Sequence, residues 1–138
     1  MPNNPTNPAI TLVSEEGASL SSGRIQFYAQ LPSLDSQDST PFVGCVNLYN
    51  YDPVNRRAAV GIMVANEYRR QGYALAMLHE LERMFPSTLH LLYADIAAPN
   101  SASVALFRKA GYTECGHFKE WLEYDSHFID NIRMQKIL

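Results

Sequence analysis

The segment Val64-Ala65-Asn66-Glu67-Tyr68-Arg69-Arg70-Gln71-Gly72-Tyr73-Ala74 limits what this chain can fold into more than any other. On its N-terminal side the apolar run Ala58 to Ala65 reads as a buried strand. On its C-terminal side the run Ala74 to Phe85 contains no Pro or Gly and reads as a helix. The loop between them sets Arg69, Arg70, Gln71 and Gly72 at the helix N-terminus. The first N–H groups of a helix lack partners and its dipole favours an anion, so a phosphate group binds well there. A glycine at position 72 lets the backbone turn and approach a ligand without a Cβ in the way. The pattern is neither G-x-x-x-x-G-K-[ST] nor G-x-G-x-x-G. Taken alone, a loop with two arginines is more often a solvated surface.

A second unit of the same kind follows. Leu89 to Ile96 reads as a buried strand ended by Pro99, and Asn100 or Ser101 can cap a helix from Ala102 to Ala110. Gly111 stands where a helix-ending glycine belongs. Before the first unit come two further strands, Ile25–Leu31 and Phe42–Tyr51, separated by a polar loop from Pro32 to Pro41. Asp52, Pro53 and Asn55 make a turn into the Ala58–Ala65 strand, so these three strands pair antiparallel. Thr113–Tyr124 and His127–Leu138 read as a last hairpin turning at Asp125-Ser126. The expected class is α/β: a central mixed sheet flanked by helices, with one β-α-β crossover at its centre. Residues 1–24, rich in Asn, Pro, Ser and Gly, read as an irregular N-terminal segment, and residues 25–138 as one domain.

Composition narrows the partners. With a net charge of −3 and no basic stripe, nucleic acid is not expected. The longest apolar run is too short to span a bilayer, and the N-terminus has no apolar signal core, so no membrane contact and a cytoplasmic location are expected. Cys45 and Cys115 lie far apart with no metal-ligand spacing. They are expected to be reduced, buried thiols, and no metal is expected.

The pattern Arg69-x-x-Gly72-x-Ala74, followed by Asn100-x-x-Ser103-x-x-Leu106-Phe107-x-Lys109-x-Gly111-Tyr112, resembles the two cofactor-binding motifs of the GNAT superfamily of N-acetyltransferases, in the same order. The likeness spans residues 25–138. It is nearest to the spermidine and diamine acetyltransferase branch through Phe42-Val43-Gly44-Cys45-Val46-Asn47-Leu48, Gly111-Tyr112-x-Glu114-x-Gly116-His117 and Phe128-Ile129-Asp130-Asn131-Ile132-Arg133-Met134. The resemblance implies a GNAT-like fold with a shortened N-terminal lobe, and acetyl-CoA as co-substrate between two splayed central strands. Backbone groups of Ile62, Met63 and Val64 would pair with the pantetheine arm. The loop Arg69, Arg70, Gln71, Gly72, Tyr73 and Ala74 would hold the pyrophosphate, with Asn100, Ser103 and Phe107 also at the cofactor.

The implied reaction is direct attack of a primary amine on the thioester, with N–H groups stabilising the oxyanion. The acceptor would be a polyamine-like small molecule or a protein N-terminus, and a homodimer is one arrangement open to the chain. Two positions depart from the family pattern. Phe107 stands where many members carry a tyrosine acid, and Ala59 where polyamine acetyltransferases carry a glutamate base. The usual acid and base are therefore unassigned. Tyr93 and Tyr124 are weak stand-ins, since a strand tyrosine is more often packing. Tyr49, Tyr51, Asp95, Tyr112 and Glu120 are further candidates, each more often structural, and His117 and Trp121 alternate to one face of their strand, where they would line an acceptor pocket or serve the core. The alternative reading is a catalytically weak or inactive CoA-binding module of the same fold.

Overall fold

In the computed structural model, which describes residues 8–32, 42–85 and 87–138, burial alternates along the strands as a half-covered sheet requires. In Ile25–Gln30 every second side chain is buried, and Val46 and Leu48 continue the buried row on Phe42–Asp52. We label the strands β1 (Thr11–Ser14), β2 (Ile25–Gln30), β3 (Phe42–Asp52), β4 (Arg57–Val64), β5 (Leu91–Ala97), β6 (Thr113–Tyr124) and β7 (His127–Ile137). The helices are α1 (Tyr73–Met84) and α2 (Ser101–Lys109). All seven strands form one sheet in the order β1-β2-β3-β4-β5-β7-β6. β2, β3 and β4 pair antiparallel, β4 and β5 parallel across α1, and β5, β7 and β6 antiparallel.

Both helices contribute to one core. Leu75, Met77, Leu78 and Leu81 of α1, Phe107 of α2 and its C-cap Ala110 pack with Val46, Leu48, Val60, Leu92, Ala94 and Met134 of the sheet. Each buried Leu or Met contributes roughly 1.5–3 kcal/mol. Alternation leaves Cys45, Asn47 and Tyr49 of β3, Gly61 and Met63 of β4, and Tyr93 and Asp95 of β5 on the opposite face. Lys136 ties the helix layer to β7. Its Nζ donates to Glu82 Oε2 of α1 at 2.9 Å and to the Ala110 carbonyl at the end of α2 at 2.7 Å.

The local signals mostly hold. Asp52 Oδ1 accepts from the Val54 and Asn55 amides, both at 3.0 Å, and closes the β3–β4 turn. Asp125 and Ser126 both have positive φ, at 50° and 63°, as a two-residue hairpin requires. Three expectations need correction. Residues 1–24 are not irregular throughout: Thr11–Ser14 is a strand paired with β2, and Leu20–Ser22 is a 3-10 turn capped by Ser19. Neither cysteine is buried as expected, Cys115 being exposed and Cys45 half-buried, although both are free thiols. β6 is not a regular strand. Glu120 has φ 51°, and the register slips between Phe118 and Leu122. The Glu120 amide donates to Asp130 Oδ1 at 2.9 Å instead of continuing the ladder. This bulge breaks the alternation that put His117 and Trp121 on one face. His117 Nε2 pairs with Asp130 Oδ2 at 2.7 Å, while Trp121 is exposed against Phe118. The loop expected at Pro32–Pro41 lies outside the described residues from position 33 onward.

Candidate functional site

β4 and β5 part almost as soon as they meet. Their parallel ladder consists of Arg57↔Leu91, Ala58↔Leu92 and Ala59↔Tyr93, and beyond Tyr93 no described pair joins them. On its other edge β5 stays paired with β7 from Leu91 to Ala97. The edge of β4 from Val60 to Val64 is thus bound to β3 on one side and open on the other. An open strand edge presents N–H and C=O groups that need partners.

That edge runs straight into the helix N-terminus. After Val64 a 3-10 turn at Asn66–Tyr68 leads to Arg70 at φ 63° and Gly72 at φ 85°, the N-cap of α1. Two left-handed residues in three reverse the chain sharply, and glycine is the residue that takes this conformation without strain. The loop is braced from within. Arg69 Nε donates to the Val64 carbonyl at 3.0 Å, Gln71 Nε2 donates to the Glu67 carbonyl at 2.9 Å, and Tyr68 and Tyr73 meet edge-to-face. Gly72 offers no capping side chain, so the first N–H groups of α1 face outward. Arg69, Arg70, Gln71 and Gly72 are exposed beside them.

Between this loop, the β4 edge and the start of α2 lies a cavity of about 840 Å³, within the size range of small-molecule sites. Of the residues the sequence pointed to, Ile62, Met63, Val64, Arg69, Arg70, Gln71, Gly72, Tyr73, Ala74, Asn100 and Ser103 all line it. Asn100 also caps α2, its Oδ1 accepting from the Ser103 amide at 3.2 Å. The sequence reading missed Tyr68, Leu75, Ala102, Leu106 and Lys109, which complete the wall. The i, i+3 spacing of Leu106 from Ser103 and of Lys109 from Leu106 carried the signal for those two.

Three residues lie elsewhere. Phe107, expected at the cofactor, is 2 % exposed in the core with its ring edge-to-face on Tyr112 at 5.0 Å, and its neighbour Leu106 reaches the cavity instead. Tyr124 is exposed at the β6–β7 turn. Tyr93 lies on the sheet face opposite the helices, where the Arg133 guanidinium stacks over its ring at 4.6 Å.

That opposite face carries a polar network where β4 and β5 diverge. Arg133 Nε donates to Asp95 Oδ1 and Arg133 Nη2 to Asp95 Oδ2, both at 2.9 Å, and Asn131 Nδ2 donates to Asp95 Oδ1 at 3.2 Å. The Arg133 hydrogen bonds hold the Asp95 carboxyl below the usual carboxylate range, against the opposing effect of burial. Burial first, and then the nearby Asp95 and Tyr93, push the Tyr49 hydroxyl up. Among the described residues no cluster of His, Cys, Asp and Glu could hold a metal ion, and no helix is long and apolar enough to cross a membrane.

The family model for the acetyltransferase (GNAT) domain matches residues 15–113. The spermidine N(1)-acetyltransferase of Vibrio cholerae is 29% identical over 94 residues, which is 67% of this chain and 54% of the relative. The chain therefore spans about half the length of that curated relative. A crystal structure of spermidine N-acetyltransferase from Vibrio cholerae in complex with CoA and spermine is 25% identical, with a TM-score of 0.73 over 85% of this chain and 67% of that one. A dodecameric structure of the same organism's enzyme is 26% identical, with a TM-score of 0.72 over 83% of this chain and 65% of that one.

Proposed function

Because the chain belongs to the acetyltransferase (GNAT) domain family, we propose that it transfers acetyl from acetyl-CoA to a primary amine, with polyamine-like small molecules as the leading acceptors. The observation that carries this reading is the continuity of the open β4 edge with the uncapped N-terminus of α1. One wall of the cavity offers extended backbone to a chain of amide groups, and its end offers N–H groups and two arginines to a pyrophosphate. In this reading Ile62, Met63 and Val64 receive the pantetheine arm, residues 69–74 the pyrophosphate, and Asn100 and Ser103 the opposite wall. The Vibrio cholerae relatives carry spermidine and CoA in their names, which favours the same pairing here.

Acetyl-CoA supplies an activated thioester that a neutral amine attacks directly. The protein positions the thioester carbonyl, aims N–H groups at the developing oxyanion and excludes bulk water. Ala59 and Phe107 supply neither the base nor the acid, and positioned groups of that kind are typically worth about 10²–10⁴-fold. Protons then move through water, and turnover is slow by the same order. The same two residues favour the second reading, a CoA-binding module without activity.

The charge at the loop gives a first test. Replacing Arg69 and Arg70 together with Gln should weaken CoA, with affinity for the wild type falling as salt rises and the variant less salt-sensitive. Pantetheine, which lacks the phosphates, should bind both proteins alike. Calorimetric titrations with the two ligands check this. An equal loss for pantetheine would mean that the arginines do not serve the phosphates.

A further inference from the structure

The face opposite the helices carries groups that the cofactor cavity does not use. Where β4 and β5 diverge, alternation sets Gly61 and Met63 on one lip and Asp95 on the other, with Tyr49 and Tyr93 flanking Ala59 at the closed end. Ala59 is fully buried although it lies on this face. Gly61 has only ordinary contacts around the place of a Cβ, to Tyr49 Cε1 at 3.7 Å and Asn47 Nδ2 at 3.9 Å. Asn47 Oδ1 is buried and has no hydrogen-bond partner among the described residues.

Asp95 is built differently from a general base. Its Oδ1 accepts from Arg133 and Asn131, while its Oδ2 accepts only from Arg133. A carboxylate oxygen has two lone pairs, so Oδ2 keeps one. The side chain is 31% exposed, so that lone pair is reachable. Arg133 is itself fixed over Tyr93 and Phe118, which keeps the carboxylate in one orientation. An anion locked ionised is a poor proton acceptor and a good partner for a cation. The Tyr49 ring beside it adds aromatic surface, which suits both methylenes and an ammonium, while one face of the Tyr93 ring is taken by Arg133.

Resting on the acetyl-transfer reading, we propose that Asp95 determines acceptor specificity: held at the lip of the β4–β5 cleft by Arg133 and Asn131, it receives a non-reacting ammonium of a diamine or polyamine. The reacting amine is then the one that lies toward the cleft. A monoamine has no second charge to offer and gains nothing from Asp95.

The experiment compares spermidine with propylamine at saturating acetyl-CoA, in the wild type and in Asp95→Asn and Asp95→Glu. Loss of one charge-assisted contact should lower kcat/KM for spermidine roughly 10- to 100-fold in Asp95→Asn, through KM, with kcat little changed. Propylamine kinetics and CoA affinity should stay at wild-type values, and Asp95→Glu should recover most of the spermidine KM. A merely structural role would depress both amines together, and that result overturns the proposal, as does an unchanged spermidine KM. Calorimetric titration of spermidine into the CoA-loaded proteins separates this from the activity itself. If no amine is acetylated yet spermidine binds the wild type and not Asp95→Asn, the acetyl-transfer reading fails and the role of Asp95 stands. Equal or absent spermidine binding in all three proteins overturns that role.

Discussion

Gly72→Asp should abolish most CoA binding while leaving the fold intact. The substitution puts an anion beside the unpaired N–H groups of α1, where the pyrophosphate is proposed to lie. Like charges brought together in a binding site cost several kcal/mol, so the dissociation constant should rise on the order of 100-fold. The backbone part of the effect is separable. Position 72 has φ 85°, and Asp and Asn tolerate this conformation at a cost of about 1 kcal/mol. Gly72→Asn carries the same strain without the charge and should lose far less affinity. Calorimetry with CoA on both variants, with circular dichroism to verify the fold, reads the difference. Equal affinities for the two variants would place the pyrophosphate elsewhere.

Gly44→Val should be the most damaging substitution on the sheet. A Cβ on Gly44 would collide with the Met63 carbonyl oxygen and come within 2.9 Å of Val64 Cα. Both are backbone atoms of β4, the strand whose opposite edge is proposed to receive the pantetheine arm, so β3 and β4 must separate or shift. Overpacking against backbone costs about 1–3 kcal/mol, and the upper end corresponds to a fall in Tm of roughly 10 °C for a chain of this size. Gly61→Ala is the control. It lies on the neighbouring strand and meets only side-chain atoms at ordinary contact distance. It should stay within about 1 kcal/mol of wild type. Thermal melts of the two variants check the contrast, and similar shifts for both would mean that β3 and β4 are not this close at Gly44.

These two glycines illustrate what was legible in the sequence and what was not. The Arg69–Gly72 loop could be read because its meaning is local: a strand end, a turn and a helix start lie within a dozen residues. The same holds for Asn100 as the cap of α2 and for the Asp125-Ser126 turn. β1 escaped because it has only four residues among prolines and asparagines, and gains its identity from pairing with β2. The bulge in β6 escaped because its cause, Asp130, is ten residues away across the hairpin. The Asp95–Arg133 pair joins residues 38 apart, and no spacing rule connects them. Phe107 was assigned to the cofactor through a motif, whereas helix phase turns it into the core and brings Leu106 to the cavity.

The N-terminal part of the site was the least legible. β1 ends at Ser14 and β2 begins at Ile25, with one 3-10 turn between them. The sheet face bearing Asn47, Tyr49, Gly61 and Asp95 is therefore built from central strands rather than from that segment, and its chemistry emerges only when the strands are assembled.

The most direct test of acetyl transfer is a single reaction. The protein is incubated with acetyl-CoA and spermidine, free CoA thiol is followed over time, and the amine is analysed by mass spectrometry. The account predicts thiol release that depends on both protein and amine and that matches acetylated spermidine one for one. Tight CoA binding with no thiol release above the protein-free rate, for spermidine or any other primary amine, would contradict it and leave a CoA-binding module.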